Sequence, residues 1–286
     1  LRIPGERPDW MPSPFEEIVL DPLPVRQGEI LWLQVRTEEP VTLSGSLFDR
    51  PLQFAEEEGA YYALAGVYAL IDPGMYELTL TAVNAAGEAA AVSFGLVVED
   101  GEYGRERIDV PAGRSDLLDR TVQLAEEQRL EEMRYLFTPE RMWEAPFSRP
   151  VEAAISSYFG TRRSYNGGPY SSYHTGVDYN AGGGTPVLAP AAGVVVLAEP
   201  LAVRGNVVVV DHGWGVLTGY WHLSTIDVVV GQSVQAGDML GRVGNTGLST
   251  GSHLHWEVWV GGVSVDGRQW LTTVFPPAGA ESGAGP

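Results

Sequence analysis

Short alternations of apolar and polar residues, broken by turn residues, run from about Ile18 to Val98. The segments EILWLQVRT, VTLSGSLF, YYALAGVYAL, GMYELTLTAVN and AAAVSFGLVV read as strands, with turns at Asp72-Pro73-Gly74 and Asn84-Ala85-Ala86-Gly87. Strands at this spacing predict a small β-sandwich of immunoglobulin type over residues 15–104. The proline-rich residues 1–14 before it predict an extended arm. From Ser115 to Leu136 the period lengthens. Leu117, Leu118, Val122, Leu124, Leu130, Met133 and Leu136 recur at helical intervals among charges, with Ser115 as N-cap and the polar face in solvent. Residues 105–147 therefore read as a helical linker. From Ile155 the pattern is β again, rich in glycine and valine. Within it TPVLAPAAGVVVLA and QSVQAGDMLGRVGNTG read as related β-turn-β units, an imperfect repeat around Gly193 and Gly237. The expected fold class is mainly β, with a second domain over residues 148–275 and a disordered tail at 276–286.

Composition narrows the chemistry. The 286 residues carry a formal charge of −19. Residues 1–150 hold 13 Arg against 28 acidic residues (−15), and residues 151–286 hold 5 against 9 (−4). Such acidity argues against nucleic-acid binding, which needs a cationic surface. Lysine is absent, which reads as composition bias. No apolar run approaches the length of a membrane span. Cysteine is absent too, so a metal would be held by histidine and carboxylate. The chain starts at Leu1 without a signal-peptide pattern, as expected of a secreted protein whose leader is not in this sequence or of a trimmed chain.

All five histidines, His174, His212, His222, His253 and His255, fall within 82 residues of the second domain. In GSHLHWEV, His253 and His255 are two apart, so in a strand they share a face. In YHTGVDYN, His174 and Asp178 are four apart and would also share a face of a strand, with Gly176 between them leaving room for an ion. These two residues plus one histidine of the pair make a two-His, one-carboxylate set with a place left for water, the catalytic pattern for zinc. Calcium would take oxygen ligands only. His222 ends another alternating strand and is either a buried, satisfied histidine or a further functional imidazole. His212 precedes a turn and reads as structural. Glu257 lies on the histidine face and reads as a hydrogen-bonding group behind the ligands.

The stretches HTGVDYNAGGGTPVLAPAAGVVV, GNVVVVDHGWGVLTGYWHLS and GDMLGRVGNTGLSTGSHLHWEV resemble, in order, the signature blocks of the lysostaphin-like zinc endopeptidases, the LytM-type cell-wall peptidases. The resemblance covers roughly residues 148–271; the N-terminal half lies outside it. It implies a LytM-type antiparallel β-sheet domain and one zinc per chain. The implied ligands are His174, Asp178 and His255, with His222 and His253 as unligated catalytic histidines; which of these two is the general base stays open. One departs from the family pattern: Gly267 stands where proline is common. The implied activity is hydrolysis of peptide bonds in peptidoglycan stem peptides or cross-links, outside the cell or in its envelope. The glycine-rich loops NGGPYSSY and GNTGLSTG would border the substrate groove. Two alternatives stand beside it. A non-catalytic envelope protein that binds or activates another hydrolase would be expected to have lost ligands. A zinc carboxypeptidase or dipeptidase would carry a Glu-x-x-His element, and none occurs.

Overall fold

The computed structural model describes residues 8–110, 113, 116, 117 and 119–277. Ser115, the expected N-cap, most of the expected tail and residues 1–7 of the expected arm lie outside the described residues. Residues 15–99 form the strands β1 (Phe15–Asp21), β2 (Val25–Arg26), β3 (Ile30–Thr37), β4 (Thr42–Leu47), β5 (Arg50–Pro51), β6 (Ala55–Glu57), β7 (Ala60–Gly66), β8 (Gly74–Val83) and β9 (Ala89–Glu99). Their two sheets are ordered β1-β3-β7-β6 and β2-β9-β8-β4-β5. Leu31, Leu33 and Val35 of β3 meet Leu78 and Leu80 of β8 and Leu96 of β9 in the core between them. The chain is mainly β, as expected, and this half is a sandwich. Its immunoglobulin type is a reading of strand spacing alone. Of the arm, Met11 is buried in the same core and Trp10 stands edge-on to Phe94.

The first sheet is apolar on both faces, which is why ILWL in β3 is a continuous run rather than an alternation. Ile30 and Trp32 of β3 and Tyr62 and Leu64 of β7 point away from the sandwich core. They join a second cluster with Trp143, Trp214, Val260 and Val265 of the C-terminal half. Tyr62 stacks on Trp214 with ring centroids 5.2 Å apart. The turn before β3 is tied down as well: Gly28 O accepts Asp266 N (2.9 Å) and Gln269 Nε2 (3.0 Å), and Ile30 N donates to Gln269 Oε1 (3.2 Å). Gly66 is small for a reason, because a Cβ there would meet Val265, the Val260 carbonyl and Val263 at under 3.0 Å.

The segment read as a helical linker opens with a strand, β10 (Arg105–Ile108), before the helix α1 (Arg120–Arg134). The observed N-cap is Asp119, whose carboxylate accepts Thr121 N at 2.7 Å. The polar face of α1 is not wholly solvated. Glu126 is buried, accepts the N–H groups of Val203 (2.7 Å) and Arg204 (3.1 Å), and pairs with Arg204 Nη1 at 2.7 Å. Leu130 packs with Trp221 and Trp259.

The C-terminal half contains β11 (Ile155–Ser157), β12 (Arg162–Tyr165), β13 (Ser172–Tyr173), β14 (Val177–Tyr179), β15 (Pro186–Leu188), β16 (Gly193–Leu201), β17 (Gly205–Asp211), β18 (Val216–Leu223), β19 (Thr225–Ile226), β20 (Ser233–Val234), β21 (Met239–Arg242), β22 (Leu254–Val260) and β23 (Val263–Val265). Its main sheet runs β11-β14-β22-β18-β17-β16-β20, with β23 on β22; β15-β21-β19 and β10-β12-β13 form two small sheets. The two units read as a repeat pair with each other, β15 on β21 and β16 on β20. His212 follows β17 and is fully buried beside Phe147. Its Nδ1 donates to the Ala192 carbonyl (2.7 Å), and its Nε2 accepts from Thr218 Oγ1 (2.8 Å). No helix among the described residues is long and apolar enough to cross a membrane.

Two outcomes follow from this packing. Leu64→Ala, in the shared cluster, should destabilise the chain by about 2–4 kcal/mol and leave one unfolding transition for both halves. Denaturant unfolding followed by tryptophan fluorescence and far-UV dichroism tests it. Two separated transitions, with only one shifted, would contradict a continuous core. Burial pushes His212 down to about 4, against a rise from its bond to Ala192. Between pH 6.5 and 4 the unfolded chain therefore takes up a proton that the folded chain refuses, and stability falls as pH falls. His212→Asn should flatten that slope by about one proton. An unchanged slope would show that His212 does not titrate this way.

Candidate metal centre

Three neighbouring strands bring the site together. In the β14–β22 pair Asp178 lies opposite His255, and in the β18–β22 pair His255 lies opposite Trp221, one residue before His222. His253 forms an isolated bridge with Gly244 just ahead of β22, on the same side as His255. His174 arrives differently from the strand alternation expected of it. It sits between β13 and β14, where the chain bends; its amide donates to Thr161 O and its carbonyl accepts Gly160 N. The bend, not a shared strand face, turns it toward Asp178. Nor does Gly176 leave space for an ion: a Cβ there would meet the Trp256 carbonyl at 2.3 Å and His255 Nε2 at 2.8 Å, so the glycine admits β22 itself.

His222 owes its direction to a bulge. The β17–β18 register shifts between Asn206 and Val208, and His222 takes φ +63°, uncommon for a residue with a side chain. Trp221 consequently turns to one side, where its indole donates to Glu257 Oε2 (3.0 Å), while His222 faces His253 with ring centroids 4.9 Å apart.

His174 Nε2, Asp178 Oδ1 and His255 Nδ1 lie 2.8–2.9 Å from one another. They are the group among the described residues that could hold a metal ion. Proton accounting supports that fit. His174 Nδ1 faces the Tyr158 carbonyl at 3.0 Å and must donate to it, and burial pushes this imidazole down to about 4, leaving a bare Nε2 lone pair aimed at Asp178. Asp178 is held well below the usual carboxylate range: burial would raise it, and the electrostatic pull of the His174 and His255 side chains outweighs that. His255 is raised, the pull of the Asp178 and Glu257 carboxylates outweighing burial. The pocket thus favours positive charge at its centre, and a cation answers the lone pairs that converge there.

Glu257 is fully buried and held low: burial alone would raise it, and His255, Arg134 and Arg204 outweigh that. It collects Trp221 Nε1, Trp259 Nε1 (2.7 Å) and Ser264 Oγ (2.6 Å), with His255 Nε2 at 3.8 Å. Turning the His255 N–H toward this carboxylate leaves Nδ1 bare for the centre. The other two histidines are fixed in the opposite sense. His222 Nδ1 donates to Thr246 O and His253 Nδ1 to Gly251 O, each at 2.8 Å, so both present Nε2 to the cleft. His253 Nε2 is 3.7 Å from Asp178 Oδ1.

Two adjoining depressions of about 140 and 600 Å³ share His222, His255, Arg163 and Leu248 in their walls. Ser171 and Tyr173 from one glycine-rich loop border the larger, and Ser249 and Thr250 from the other border the smaller. Sequence reasoning missed Arg163, which donates to Asp178 Oδ2 at 3.2 Å, and Ser157, within 3.2 Å of His174 Nδ1. The signal for Arg163 was faint: an arginine in a β segment with only five arginines across residues 151–286.

The chain is similar to known proteins. Over 119 residues the chain is 43% identical to the peptidoglycan DD-endopeptidase ShyA of Vibrio cholerae, covering 41% of this chain and 28% of that protein. It is 45% identical over 93 residues to the DD-carboxypeptidase/endopeptidase Mpg of Neisseria meningitidis serogroup B, covering 32% and 21%. The chain thus spans less than a third of the length of these curated relatives. A crystal structure of a candidate peptidase M23 from Pseudomonas aeruginosa superposes with a TM-score of 0.64 at 28% identity, over 87% of this chain and 94% of that one. Residues 172–267 match the model of Peptidase family M23. The bend at His174, the β14–β22 register and the bulge at His222 accordingly lie within residues 172–267, which form a peptidase family M23 domain, of lysostaphin- and LytM-like type.

Proposed function

We propose that the chain is a zinc-dependent endopeptidase that hydrolyses peptide bonds in the stem peptides or cross-links of bacterial peptidoglycan, in the cell envelope or outside the cell. The observation that carries this reading is the convergence of His174 Nε2, Asp178 Oδ1 and His255 Nδ1 within 2.9 Å, beside two further imidazoles that turn Nε2 to the same cleft. One zinc per chain would be held by these three residues. When bound, zinc polarises a carbonyl and makes nearby water acidic enough to attack at neutral pH. The name of the Vibrio relative supports peptidoglycan as the substrate class, and that of the Neisseria relative supports endopeptidase action.

His253 and His222 supply the proton handling. Each ring turns Nε2 to the cleft, where it can take up and return a proton. The His253 side chain, one-fifth exposed and near Asp178, is placed to take the proton of the attacking water. Burial, together with His253 and His255, pushes His222 down to about 3, so at neutral pH it holds no proton in advance. His222 is then placed to hold the attacking water or the substrate amide N–H by accepting from it, while the proton taken up by His253 passes to the leaving amine. The alternative of a non-catalytic activator gains no support from a cluster with every donor in place.

The roles separate in three variants of the full chain. His255→Ala should lose most of its zinc, because a site with two protein ligands is poor. His253→Ala and His222→Ala should keep about one zinc per chain and lose about 10²–10⁴-fold in turnover of cross-linked wall fragments. Elemental analysis and mass spectrometry of the digests are the measurements. Equal metal loss at His253 and His255 would make both of them ligands, and full turnover in His253→Ala would reduce that residue to scaffolding.

A further inference from the structure

Asp178 uses one oxygen for the centre and the other for something else. Oδ1 faces His174 and His255, whereas Oδ2 accepts Arg163 Nη2 at 3.2 Å. The same Nη2 donates to Ser157 Oγ (3.1 Å), and Arg163 Nε donates to Glu106 Oε2 (3.3 Å). Ser157 Oγ in turn lies 3.3 Å from Glu106 Oε2 and 3.2 Å from His174 Nδ1. The backbone enforces this arrangement. Glu106 and Arg163 are register partners in the parallel β10–β12 pair, and Ser157 and Asp178 are partners across β11 and β14.

We propose that Arg163 is a positioning residue for the metal centre and that Glu106, brought in by the strand that follows the sandwich, holds Arg163 in place. This rests on the zinc reading above. A ligating carboxylate can rotate and offer either oxygen or both; a guanidinium fixed on Oδ2 removes that freedom and leaves Oδ1 for the metal. Arg163 is always charged, and its side chain, like that of Asp178, is only 13% exposed. A cation so placed is stable when its carboxylate partners are present, and Glu106 is the one that does not belong to the centre. Docking of β10 on β12 is thereby coupled to the geometry of Asp178. The strand joining the two halves acts as part of the metal site's support, although it contributes no ligand.

Zinc affinity of the full chain, measured by competition with a chromophoric chelator, tests this without reference to turnover. Arg163→Gln should weaken zinc binding about 10–100-fold, and Arg163→Lys should recover part of the loss. Glu106→Gln, at a side chain 39% exposed, should weaken it about two- to fivefold. In the Arg163→Gln background the Glu106 substitution should have no further effect, since it acts through the arginine. Unchanged affinity in Arg163→Gln overturns the proposal. An equal factor for Glu106→Gln in both backgrounds overturns the part assigned to Glu106. If Arg163→Gln fails to fold, full affinity in both Arg163→Lys and Glu106→Gln is the overturning result. A wild-type chain that binds no zinc would sink the zinc reading and this proposal together, whereas tight binding retained without Arg163 sinks this one alone.

Discussion

The β14–β22 register is the constraint from which the rest of the site follows. Ladder hydrogen bonds set Asp178 opposite His255, and a slip of one residue would put the two side chains on opposite faces of the sheet. With that pair fixed, His174 needs only a bend of three residues to reach them, and the adjoining β18 needs only a bulge to send His222 over. Gly176 belongs to the same constraint, because any larger residue would push on the Trp256 carbonyl and the His255 ring. A site built on paired strands is stiff, so its groups are aimed before any ligand arrives.

The N-terminal sandwich cannot be regarded as a bead on a string. Its first sheet is apolar on both faces, and Ile30, Trp32, Tyr62 and Leu64 reach solvent only if the C-terminal half is removed. Burying one such side chain contributes about 1.5–3 kcal/mol, so a fragment that begins near residue 148 would expose a costly face. The acidic half of the chain is therefore attached to the peptidase fold by apolar packing, with the Arg141–Glu57 ion pair beside it.

The sequence pointed to the side chains that converge in the cleft better than to the way each arrives there. Five histidines within 82 residues and the order of three glycine-rich blocks were enough to pick out His174, Asp178, His222, His253 and His255. Side-chain identity says nothing of how each arrives. The strand alternation that serves for His253 and His255 fails for His174, since a bend leaves no periodicity behind. The φ of His222 is equally invisible, because histidine is not a residue that marks left-handed backbone. Glu126 and Arg163 look like ordinary surface charges in a chain with 37 acidic residues; each is buried or half-buried by a partner far away in sequence. The short β10 was hidden for a related reason: RERI has no apolar alternation, and it is a strand because β12 pairs with it.

Protonation unites these observations. Carbonyl oxygens can only accept, so Tyr158, Thr246 and Gly251 each fix a proton on the Nδ1 of one histidine, and Glu257 fixes the reverse for His255. Backbone carbonyls do not titrate, so three of the four assignments hold at any pH at which the fold survives. The fourth depends on a carboxylate that burial would neutralise. Two indoles and a serine hydroxyl surround Glu257 and favour its charged form, which explains three polar side chains in an otherwise apolar layer. Asp178 has the same need for a donor on its outward oxygen, and Arg163 meets it with a full charge rather than neutral donors. The two carboxylates of the site are thus held ionised by different means. Glu257 is ringed by neutral donors of the central sheet with Arg134 and Arg204 acting from outside it, whereas Asp178 takes a direct bond from an arginine whose own partner comes from the strand that follows the sandwich.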